Sequence, residues 1–327
     1  MFDLNIETTK ETTVFNDNKI FDLLIVGAGP GGLNAGLYAY RKGLRVGIVT
    51  DEIGGQLHNT TTVDNYLGYT NIDGAKLSSK FLNHINDLDV PMLKGVIVNK
   101  IIKTVDGFKL HLSDGKTLES MTVILATGGA PRKLGIKGEA TYNNKGISYC
   151  ATCDAPFYKD QHVIVAGGGN AAAEGVLDLS AWAKKITVIH RSKWRADPVL
   201  LKKMEEIPNL TIHLNHQLLE VFGDDNHMQG VKALNKTTNE TRSFDAQGLL
   251  IEIGTIPKSD LIKDIVETTD KGEVIVDENQ MTSVEGLYAV GDVTQNPDKQ
   301  IIIAAAEGAK AALASAKYIN HKTKENS

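Results

Sequence analysis

Two cysteines separated by two residues are the strongest chemical signal in the sequence. Cys150 and Cys153 form a Cys-x-x-Cys motif, and Asp154 follows directly. This spacing can close a small disulfide ring, and such motifs often lower the pKa of one thiol into the reactive range. A zinc site would need more ligands, and the nearest histidine, His162, lacks the H-x₃₋₅-H spacing. The motif therefore predicts a redox-active dithiol with Asp154 as a candidate proton carrier, whereas inert buried cysteines and a turn aspartate are the alternatives.

A glycine-rich turn near the start of the chain could hold the diphosphate of a dinucleotide. Gly27, Gly29 and Gly32 form a complete G-x-G-x-x-G motif between an apolar run at 21–26 and a helical pattern that ends near residue 42. The first glycine permits the tight turn, the second lets the pyrophosphate approach the backbone, and the third lets helix and strand pack closely. The anion then lies at the helix N-terminus, where unpaired N–H groups favour it. An ordinary glycine turn is the alternative.

The same pattern returns about 140 residues later. Gly167, Gly169 and Ala172 fit the G-x-G-x-x-A variant, between an expected strand at 162–166 and a helix expected to reach about residue 184. Two strand–turn–helix units of this kind in one chain predict two dinucleotide-binding domains.

The residues that follow the second strand of each unit indicate which dinucleotide it would bind. Asp51 and Glu52 follow this strand in the first unit, and an acidic residue there suits the ribose 2′-OH of FAD or NAD. His190, Arg191 and Arg195 follow it in the second unit, and arginine suits the 2′-phosphate of NADP. The sequence thus predicts a flavin and a nicotinamide site, with a solvated basic loop as the alternative for the second group.

An α/β fold is required to position these turns and the cysteine pair. Short apolar runs without alternation indicate strands buried on both faces of parallel sheets. We expect strands at 21–26, 45–49, 162–166, 186–189 and 287–290, strand-like stretches at 95–110 and 116–126, an alanine-rich helix at 300–318, and a frayed, charged tail at 321–327.

Composition narrows the class of protein further. The 327 residues favour two domains, and the net charge of −5 argues against binding nucleic acid. Two cysteines are too few for a disulfide framework, an iron–sulfur cluster or a four-cysteine zinc site. Residues 1–20 contain no apolar signal-peptide core, and the uncharged stretch 23–40 contains five glycines and a proline, which suits a strand, turn and helix rather than a membrane span. We therefore expect a cytoplasmic protein without a metal, nucleic-acid or membrane partner.

The order and spacing of the motifs closely resemble those of the low-molecular-weight thioredoxin reductase family over residues 21–320. The matching segments are G-A-G-P-G-G at 27–32, G-G-Q-L at 54–57, T-T-T-V-D-N-Y at 60–66, A-T-G at 126–128, C-A-T-C-D at 150–154, G-G-G-N-A-A-A-E at 167–174, H-R-S-K-W-R-A at 190–196 and G-L-Y-A-V-G-D at 286–292. The resemblance implies two Rossmann-like domains of the three-layer ββα type. A nicotinamide domain at 131–257, which carries the cysteine pair, is inserted into an FAD domain at 1–130 and 258–327.

The resemblance also implies the cofactors, FAD and NADPH, and a homodimer. Together with the acidic pair above, the residues assigned to FAD are Gly27, Gly29, Pro30, Gly31, Gly32, Asp51, Glu52, Gly55, Gln56, Leu57, Asn65, Ala126, Thr127, Gly128, Gly291, Asp292, Gln300 and Ile301. Those assigned to NADPH are Gly167, Gly168, Gly169, Asn170, Ala171, His190, Arg191 and Arg195. In the family, Cys153 would face the flavin and Cys150 would attack the acceptor.

Three departures from the family pattern leave the acceptor and the nicotinamide open. Pro156 stands where the family has a docking phenylalanine, and the H-R-R-x-x-x-R clamp is shortened around Arg191, so NADH is an alternative. Residues 299–310 instead resemble the flavoprotein that reduces alkyl hydroperoxide-type peroxiredoxins. The sequence predicts an NADPH:protein-disulfide reductase that acts on thioredoxin or a thioredoxin-like dithiol protein. A flavoprotein dithiol oxidase, a peroxiredoxin-system reductase and a redox sensor are the alternatives.

Overall fold

The computed structural model describes residues 20–60 and 62–325. The expectation about a signal peptide concerns residues 1–20, nearly all of which lie outside the described residues. The chain forms two compact units. The described residues up to Ala130, together with Ile256 and the residues after it, form what we call the discontinuous unit, and Pro131–Thr255 forms the inserted unit. The second boundary falls two residues before the limit expected at 257.

The helices and strands follow one another along the chain as two series, each of which begins with alternating strands and helices and ends with consecutive strands. The first series contains β1 (Phe21–Ala28), α1 (Pro30–Arg41), β2 (Val46–Ile53), α2 (Gly74–Asp87), β3 (Met92–Lys94), β4 (Val98–Lys103), β5 (Phe108–Leu112), β6 (Thr117–Leu125) and β7 (Gly129–Pro131). The second contains β8 (Ile147–Ser148), α3 (Ala151–Asp154), β9 (His162–Ala166), α4 (Asn170–Ser180), β10 (Lys185–His190), α5 (Pro198–Glu205), β11 (Leu210–Leu214), β12 (His216–Gly223), β13 (Met228–Asn235), β14 (Glu240–Asp245) and β15 (Gly248–Ile251). The chain then returns to the discontinuous unit through β16 (Thr255–Pro257), β17 (Leu287–Ala289) and α6 (Ile301–Glu325).

The discontinuous unit is built on a sheet whose parallel part has the order β3-β2-β1-β6-β17. The first half of β6 pairs with antiparallel β5, and its second half pairs with parallel β17. The helix α1 begins at Pro30, where the missing proline N–H costs no helical hydrogen bond, and it ends just before Gly43, which has a φ of +73°. This arrangement brings the carboxyl ends of β1, β6 and β17 to one edge of the sheet.

Alternation along β1 separates two layers of core on the two faces of this sheet. Leu24 and Val26 pack with residues of β4, β5 and the segment after β16, whereas Leu23 and Ile25 pack with α1 and α6. Successive side chains of a strand point to opposite faces, so a strand that is apolar at every position needs a layer on each side. The discontinuous unit therefore has three layers.

The inserted unit repeats this plan with a parallel sheet of order β11-β10-β9-β15-β8. Val163 and Val165 of β9 pack with α3 and α4, while Ile164 and Ala166 pack with the antiparallel sheet β12-β13-β14. The prediction of two Rossmann-like α/β domains of the three-layer type, one inserted in the other, is confirmed.

Three expectations about element ends were wrong. The helix α4 ends at Ser180 rather than near residue 184, because the residues after it bond to the segment before β9: the Lys184 N–H donates to the carbonyl of Gln161, and the Trp182 carbonyl accepts the Asp160 N–H. The strand β2 continues to Ile53 rather than ending at residue 49, with an irregular register against β1. The helix α6 continues to Glu325, so 321–325 is helical and not a frayed tail.

Residues 23–40 form β1, the glycine turn and most of α1, as the sequence predicted. Across the described part of the chain, no helix combines the length and apolar character needed to cross a membrane.

Candidate functional site

The first glycine turn, between β1 and α1, requires a residue without a side chain at two of its positions. Gly27 has a φ of +106°, and a Cβ there would lie 2.4 Å from the carbonyl oxygen of Ala126 on the adjacent strand β6. A Cβ on Gly32 would lie 2.0 Å from the carbonyl oxygen of Gly27. These two glycines are therefore needed for the packing of the turn itself.

Gly29 differs from its neighbours because space is open beside it. A Cβ on Gly29 would meet no atom within 4 Å, and its φ of −77° is accessible to any residue. No side chain of the described residues caps α1, whose first residue Pro30 has no N–H. The N–H groups of Gly31 and Gly32 have no acceptor within the helix, because the first turn of a helix leaves its donors unpaired. This open, donor-lined turn fits a diphosphate.

A polar network lies beyond the carboxyl end of β17. The Gln56 side-chain amide donates to Asp292 Oδ2 at 2.7 Å. The Gly291 N–H donates to Oε2 of the buried Glu307 at 2.6 Å, and the Asn296 side chain donates to Oε1 of the same carboxylate at 2.5 Å. Glu307 was not among the predicted site residues. Its position seven residues into an alanine-rich helix gives no sign of the contact with Gly291.

The carboxylate of Asp292 is partly buried. Burial raises the pKa of this carboxyl above its ordinary value, and the neighbouring Lys299 opposes the effect. Nearby, the Asn65 side chain donates to Gln300 Oε1 at 3.2 Å, and Ile301 packs against Leu57. The structure thus joins the predicted residues in pairs, Gln56 with Asp292, Asn65 with Gln300 and Leu57 with Ile301, although the partners are far apart in sequence.

The remaining residues assigned to FAD lie near the same strand ends. The Thr127 hydroxyl donates to the carbonyl of Lys258 at 2.7 Å, and the Lys258 N–H donates to the carbonyl of Gly128 at 2.9 Å. A Cβ on Gly55 would lie 3.7 Å from the Cα of Gly29, so Gly55 borders the open turn.

The sequence analysis placed Asp51 and Glu52 after the end of the second strand, and this expectation was wrong. They are the exposed sixth and seventh residues of β2, in a stretch where its pairing with β1 shifts register between Val26 and Ala28.

The second glycine turn, between β9 and α4, repeats the first. A Cβ on Gly167 would lie 2.3 Å from the carbonyl oxygen of Glu252 on the adjacent strand end and 2.7 Å from the Ala172 Cβ. A Cβ on Gly169 would meet nothing within 4 Å. The middle residue, Gly168, makes room for the His190 ring, since a Cβ there would lie 2.3 Å from Nε2. Packing again requires the first glycine of the motif and leaves the second facing open space.

Asn170 and Ala171, the first residues of α4, are both exposed beside this open turn. The Asn170 side chain donates to Asp197 Oδ2 at 2.8 Å and accepts the Asp197 N–H at 2.9 Å, so the start of α4 is tied to the loop that follows β10.

The basic loop after β10 contains a buried histidine and two exposed arginines. His190 is buried beneath Gly168, lies 3.1 Å from Ser192 Oγ and stacks with Trp194. Burial lowers the pKa of His190, and Arg195 and Arg191 lower it further. The Arg195 N–H donates to the carbonyl of Gly168 at 2.7 Å, while both arginine side chains are exposed. His190 therefore supports the loop, and the two guanidinium groups are the parts available to an anion.

The cysteine pair lies at the start of α3 in the inserted unit. Cys150 and Cys153 form a disulfide, and the Cys153 N–H donates to Cys150 Sγ at 3.2 Å. Ser148 Oγ accepts the Cys150 N–H at 3.1 Å and donates to Asp154 Oδ2 at 2.5 Å. Burial raises the pKa of the Asp154 carboxyl, and the Ser148 hydrogen bond opposes this. The predicted proton carrier is therefore linked to the cysteine backbone by a serine that the sequence analysis did not single out.

A second carboxyl group, Glu252, touches the same short helix. Glu252 follows β15 and its Oε1 accepts the Ala151 N–H at 3.0 Å. Burial raises the pKa of Glu252 to about 7. A glutamate that interrupts an apolar strand end is unusual enough to be noticed in the sequence, but nothing there places it beside Cys150. Among the described residues no cluster of three or more His, Cys, Asp or Glu side chains could hold a metal ion.

Known proteins resemble this chain over most of its length. Residues 21–309 match the family described as pyridine nucleotide-disulphide oxidoreductase. An alkyl hydroperoxide reductase polypeptide of Staphylococcus aureus (strain Mu50 / ATCC 700699) is 38% identical over 313 residues, which are 95% of this chain and 62% of that relative. This chain thus spans less than two thirds of the length of the curated relatives it matches.

Solved thioredoxin reductases share the architecture. The crystal structure of thioredoxin reductase from Streptococcus pyogenes MGAS5005 has a TM-score of 0.88 and 35% identity, covering 93% of this chain and 99% of that one. Thioredoxin reductase from Giardia duodenalis has a TM-score of 0.87 and 30% identity, covering 92% of this chain and 99% of that one.

Proposed function

This chain belongs to the pyridine nucleotide-disulphide oxidoreductase family, and we propose that it is an FAD-dependent NADPH:protein-disulfide reductase. The observation that carries the proposal is the Cys150–Cys153 disulfide in a unit that also holds a glycine turn with an open second position. A second turn of the same design opens the discontinuous unit. Two dinucleotide sites and a redox-active dithiol are the parts that electron transfer from a nicotinamide to a protein disulfide requires.

The discontinuous unit would hold FAD. The open space at Gly29 and the unpaired N–H groups of the first turn of α1 fit its diphosphate. Gln56 and Asp292, already joined by a hydrogen bond, offer further polar contacts at the same strand ends. When bound, FAD would supply a carrier that accepts a hydride from a nicotinamide and delivers two electrons to a disulfide.

The inserted unit would hold the nicotinamide dinucleotide. Gly169 leaves room for its diphosphate at the start of α4, and Arg191 and Arg195 offer two exposed cations for a 2′-phosphate. These cations favour NADPH over NADH.

The dithiol would pass its electrons to an acceptor protein by exchange. In the reduced pair, the Cys150 thiolate attacks the acceptor disulfide and forms a mixed disulfide, and one acceptor sulfur leaves. Cys153 then attacks Cys150 Sγ, which restores the Cys150–Cys153 disulfide and releases the second acceptor sulfur. Two electrons and two protons are transferred in total, and Asp154 is placed to carry a proton.

Thioredoxin or a thioredoxin-like dithiol protein is the acceptor we propose first, because the solved relatives are thioredoxin reductases with matching chain length. A peroxiredoxin system is the second candidate. It is favoured by the 38% identity to the alkyl hydroperoxide reductase polypeptide over 95% of this chain.

Anaerobic stopped-flow spectroscopy tests the proposal. NADPH should bleach the flavin absorbance faster than NADH, and a disulfide acceptor should then restore it. Thioredoxin, a two-cysteine peroxiredoxin and oxygen would be compared as acceptors at equal concentration. A double variant with Cys150→Ser and Cys153→Ser should still be bleached but should reduce neither protein. If oxygen is the only acceptor that restores the flavin absorbance, and does so at the same rate in the unsubstituted protein and in the double variant, the chain is not a protein-disulfide reductase.

The proposal includes a homodimer that works in the cytoplasm, where thiols are kept reduced. Light scattering after size exclusion should give twice the mass of the 327-residue chain, and cell fractionation should recover the protein with cytoplasmic markers. A monomer at micromolar concentration would contradict the first statement.

A further inference from the structure

Glu252 is a partly buried carboxyl group beside the cysteine pair, and the steps proposed above do not use it. Its Oε1 accepts the N–H of Ala151, the residue that directly follows Cys150, at 3.0 Å. Its own N–H donates to the carbonyl of Ala166 at 2.8 Å, which fixes Glu252 at the carboxyl end of the parallel sheet. The side chain is thus held between the sheet and the first turn of α3.

The surroundings of Glu252 are acidic and partly shielded from water. Its Cγ lies 3.5 Å from where a Cβ of Gly175 would be, so the absence of a side chain on α4 makes room for it. The charged groups that act on it from α4 are Asp178 and Glu174, and both disfavour its ionised form. On α3, the carboxyl group of Asp154 is engaged by Ser148.

These surroundings place the ionisation of Glu252 in the pH range where the dithiol works. Burial is the largest cause that raises its pKa, to about 7, and the hydrogen bond from Ala151 opposes it. A negative charge near a thiol disfavours the thiolate, and the thiolate is the form that attacks a disulfide.

Resting on the proposed reductase function, we propose that Glu252 is a positioning residue of the dithiol, which holds the backbone after Cys150 and, as a carboxylate, limits thiolate formation by the reduced pair. Ionisation of Glu252 and of the first thiol are then coupled, so that each raises the pKa of the other. The protonated glutamate exerts no such repulsion.

Alkylation of the reduced protein tests this coupling without nicotinamide or acceptor. The flavoprotein would be reduced with excess dithiothreitol, desalted anaerobically and treated with iodoacetamide between pH 5.5 and 9.5. Mass spectrometry would measure the rate at which the peptide that carries both cysteines is modified. Glu252→Gln keeps an oxygen acceptor for Ala151 and removes the charge. Asp160→Asn is the matched control, because it removes the charge of an exposed carboxylate of the same unit that does not act on Glu252.

We expect Glu252→Gln to lower the midpoint of the alkylation profile by about one pH unit, the lower end of the effect of a nearby charge. At a fixed pH below the midpoint the thiolate fraction then rises about tenfold. Intrinsic nucleophilicity falls about threefold with the lower pKa, so the alkylation rate should rise about threefold. Asp160→Asn should change the rate by less than about twofold, because exposed charges are screened.

Two results would overturn the proposal. A Glu252→Gln profile that superimposes on that of the unsubstituted protein would leave only a structural hydrogen bond. An equal shift in Asp160→Asn would reveal a general charge effect. If Glu252→Gln does not fold, Cys153→Ser supplies a second measurement, because its single remaining thiol should still give a profile broader than a single titration; a profile fitted by one pKa also overturns the proposal. Because no acceptor is involved, a protein that shows the shift but reduces no protein disulfide contradicts the proposed function and not the role of Glu252.

Discussion

At the scale of single residues, Asp154 is distinguished by its link to the cysteine backbone through Ser148. Burial raises the pKa of this carboxyl, which makes it a better proton donor near neutral pH than an exposed aspartate. We predict that Asp154→Asn slows reduction of a protein disulfide about 100-fold, at the lower end of general acid–base effects. Bleaching of the flavin by NADPH should be unchanged, since that step does not involve the dithiol. Stopped-flow reoxidation with thioredoxin measures the first rate, and anaerobic reduction measures the second.

Asp160→Asn is the control for this variant, because Asp160 is an exposed aspartate six residues further along the same unit. Its reoxidation rate should match that of the unsubstituted protein. If Asp154→Asn reduces the acceptor at an unchanged rate, Asp154 is only a structural partner of Ser148.

The two exposed arginines of the basic loop carry the second prediction. Charge-assisted hydrogen bonds contribute about 1.5–3 kcal/mol each. Replacing both Arg191 and Arg195 by alanine should therefore raise the KM for NADPH at least tenfold and leave the KM for NADH within about twofold. Steady-state kinetics with both nucleotides measures the change. Equal KM values for NADPH and NADH in the unsubstituted protein would refute the assignment of these arginines to a 2′-phosphate.

The pKa of Glu252 also predicts how stability depends on pH. Folding raises this pKa from its ordinary value of 4.5 to about 7, so between these values the folded protein binds more protons at Glu252 than the unfolded chain does. The contribution of Glu252 to stability is then greatest below pH 4.5 and is lost as the pH rises to about 7. Glu252→Gln should remove this loss. Relative to the unsubstituted protein, the variant should gain about 2–3 kcal/mol in free energy of unfolding at pH 8 compared with pH 4.

Urea unfolding at the two pH values measures this difference, with Asp160→Asn as the control in which we expect little dependence. A Glu252→Gln variant with the same relative stability at both pH values would show that Glu252 is not buried in the folded protein.

At the scale of elements, the two glycine turns follow one design. Each has a first glycine packed against the neighbouring strand end, at Ala126 or Glu252, and a second glycine that faces open space. We predict that Gly29→Val folds normally but is purified without flavin, because only a bound diphosphate would meet the new side chain. Gly169→Val should keep its flavin and lose nicotinamide binding, with a KM for NADPH raised at least tenfold. Absorbance at 450 nm per chain and thermal unfolding report the two properties.

Gly27→Ala is the contrasting variant. Its Cβ would lie 2.4 Å from the Ala126 carbonyl oxygen at a φ of +106°, so it should lower the melting temperature whether or not flavin is present. A Gly29→Val protein that binds flavin fully would place the cofactor elsewhere.

At the scale of the whole molecule, the proposed function gives the two cysteine sulfurs different roles in electron transfer. Family resemblance assigns contact with the flavin to Cys153 and attack on the acceptor to Cys150. Cys150→Ser should then show a charge-transfer absorbance from a thiolate beside the oxidised flavin, and Cys153→Ser should lack it. Both variants should lose acceptor reduction, because exchange requires an attacking and a resolving thiol. Visible spectra between pH 6 and 9 and a thioredoxin assay supply the measurements.

If the charge-transfer absorbance is present in Cys153→Ser and absent in Cys150→Ser, the roles of the two sulfurs are reversed. Substantial acceptor reduction by either single variant would show that the pair is not the route of the electrons.

Features that depend on neighbours along the chain could be predicted from the sequence. The glycine spacings, the apolar runs and the cysteine motif each describe a local conformation, and the structure contains both turns, the strands β1 and β9 and the disulfide where they were expected. Local patterns were weaker at element ends. The end of α4 at Ser180 depends on backbone hydrogen bonds that no residue type specifies, and the extension of β2 to Ile53 depends on a register shift against β1.

The packing of the folded chain, in contrast, sets which distant groups meet and which are removed from water. Gln56 and Asp292 are 236 residues apart and Ala151 and Glu252 are 101 apart, yet each pair shares a hydrogen bond. Parallel sheets gather such residues because the carboxyl ends of strands from separate segments lie along one edge. The pKa values of Asp154 and Glu252 are raised by burial, which results from the packing of helices and strands from different parts of the inserted unit. Desolvation depends on all the atoms around a group, so it is set by packing and cannot be seen in the residue's neighbours along the chain.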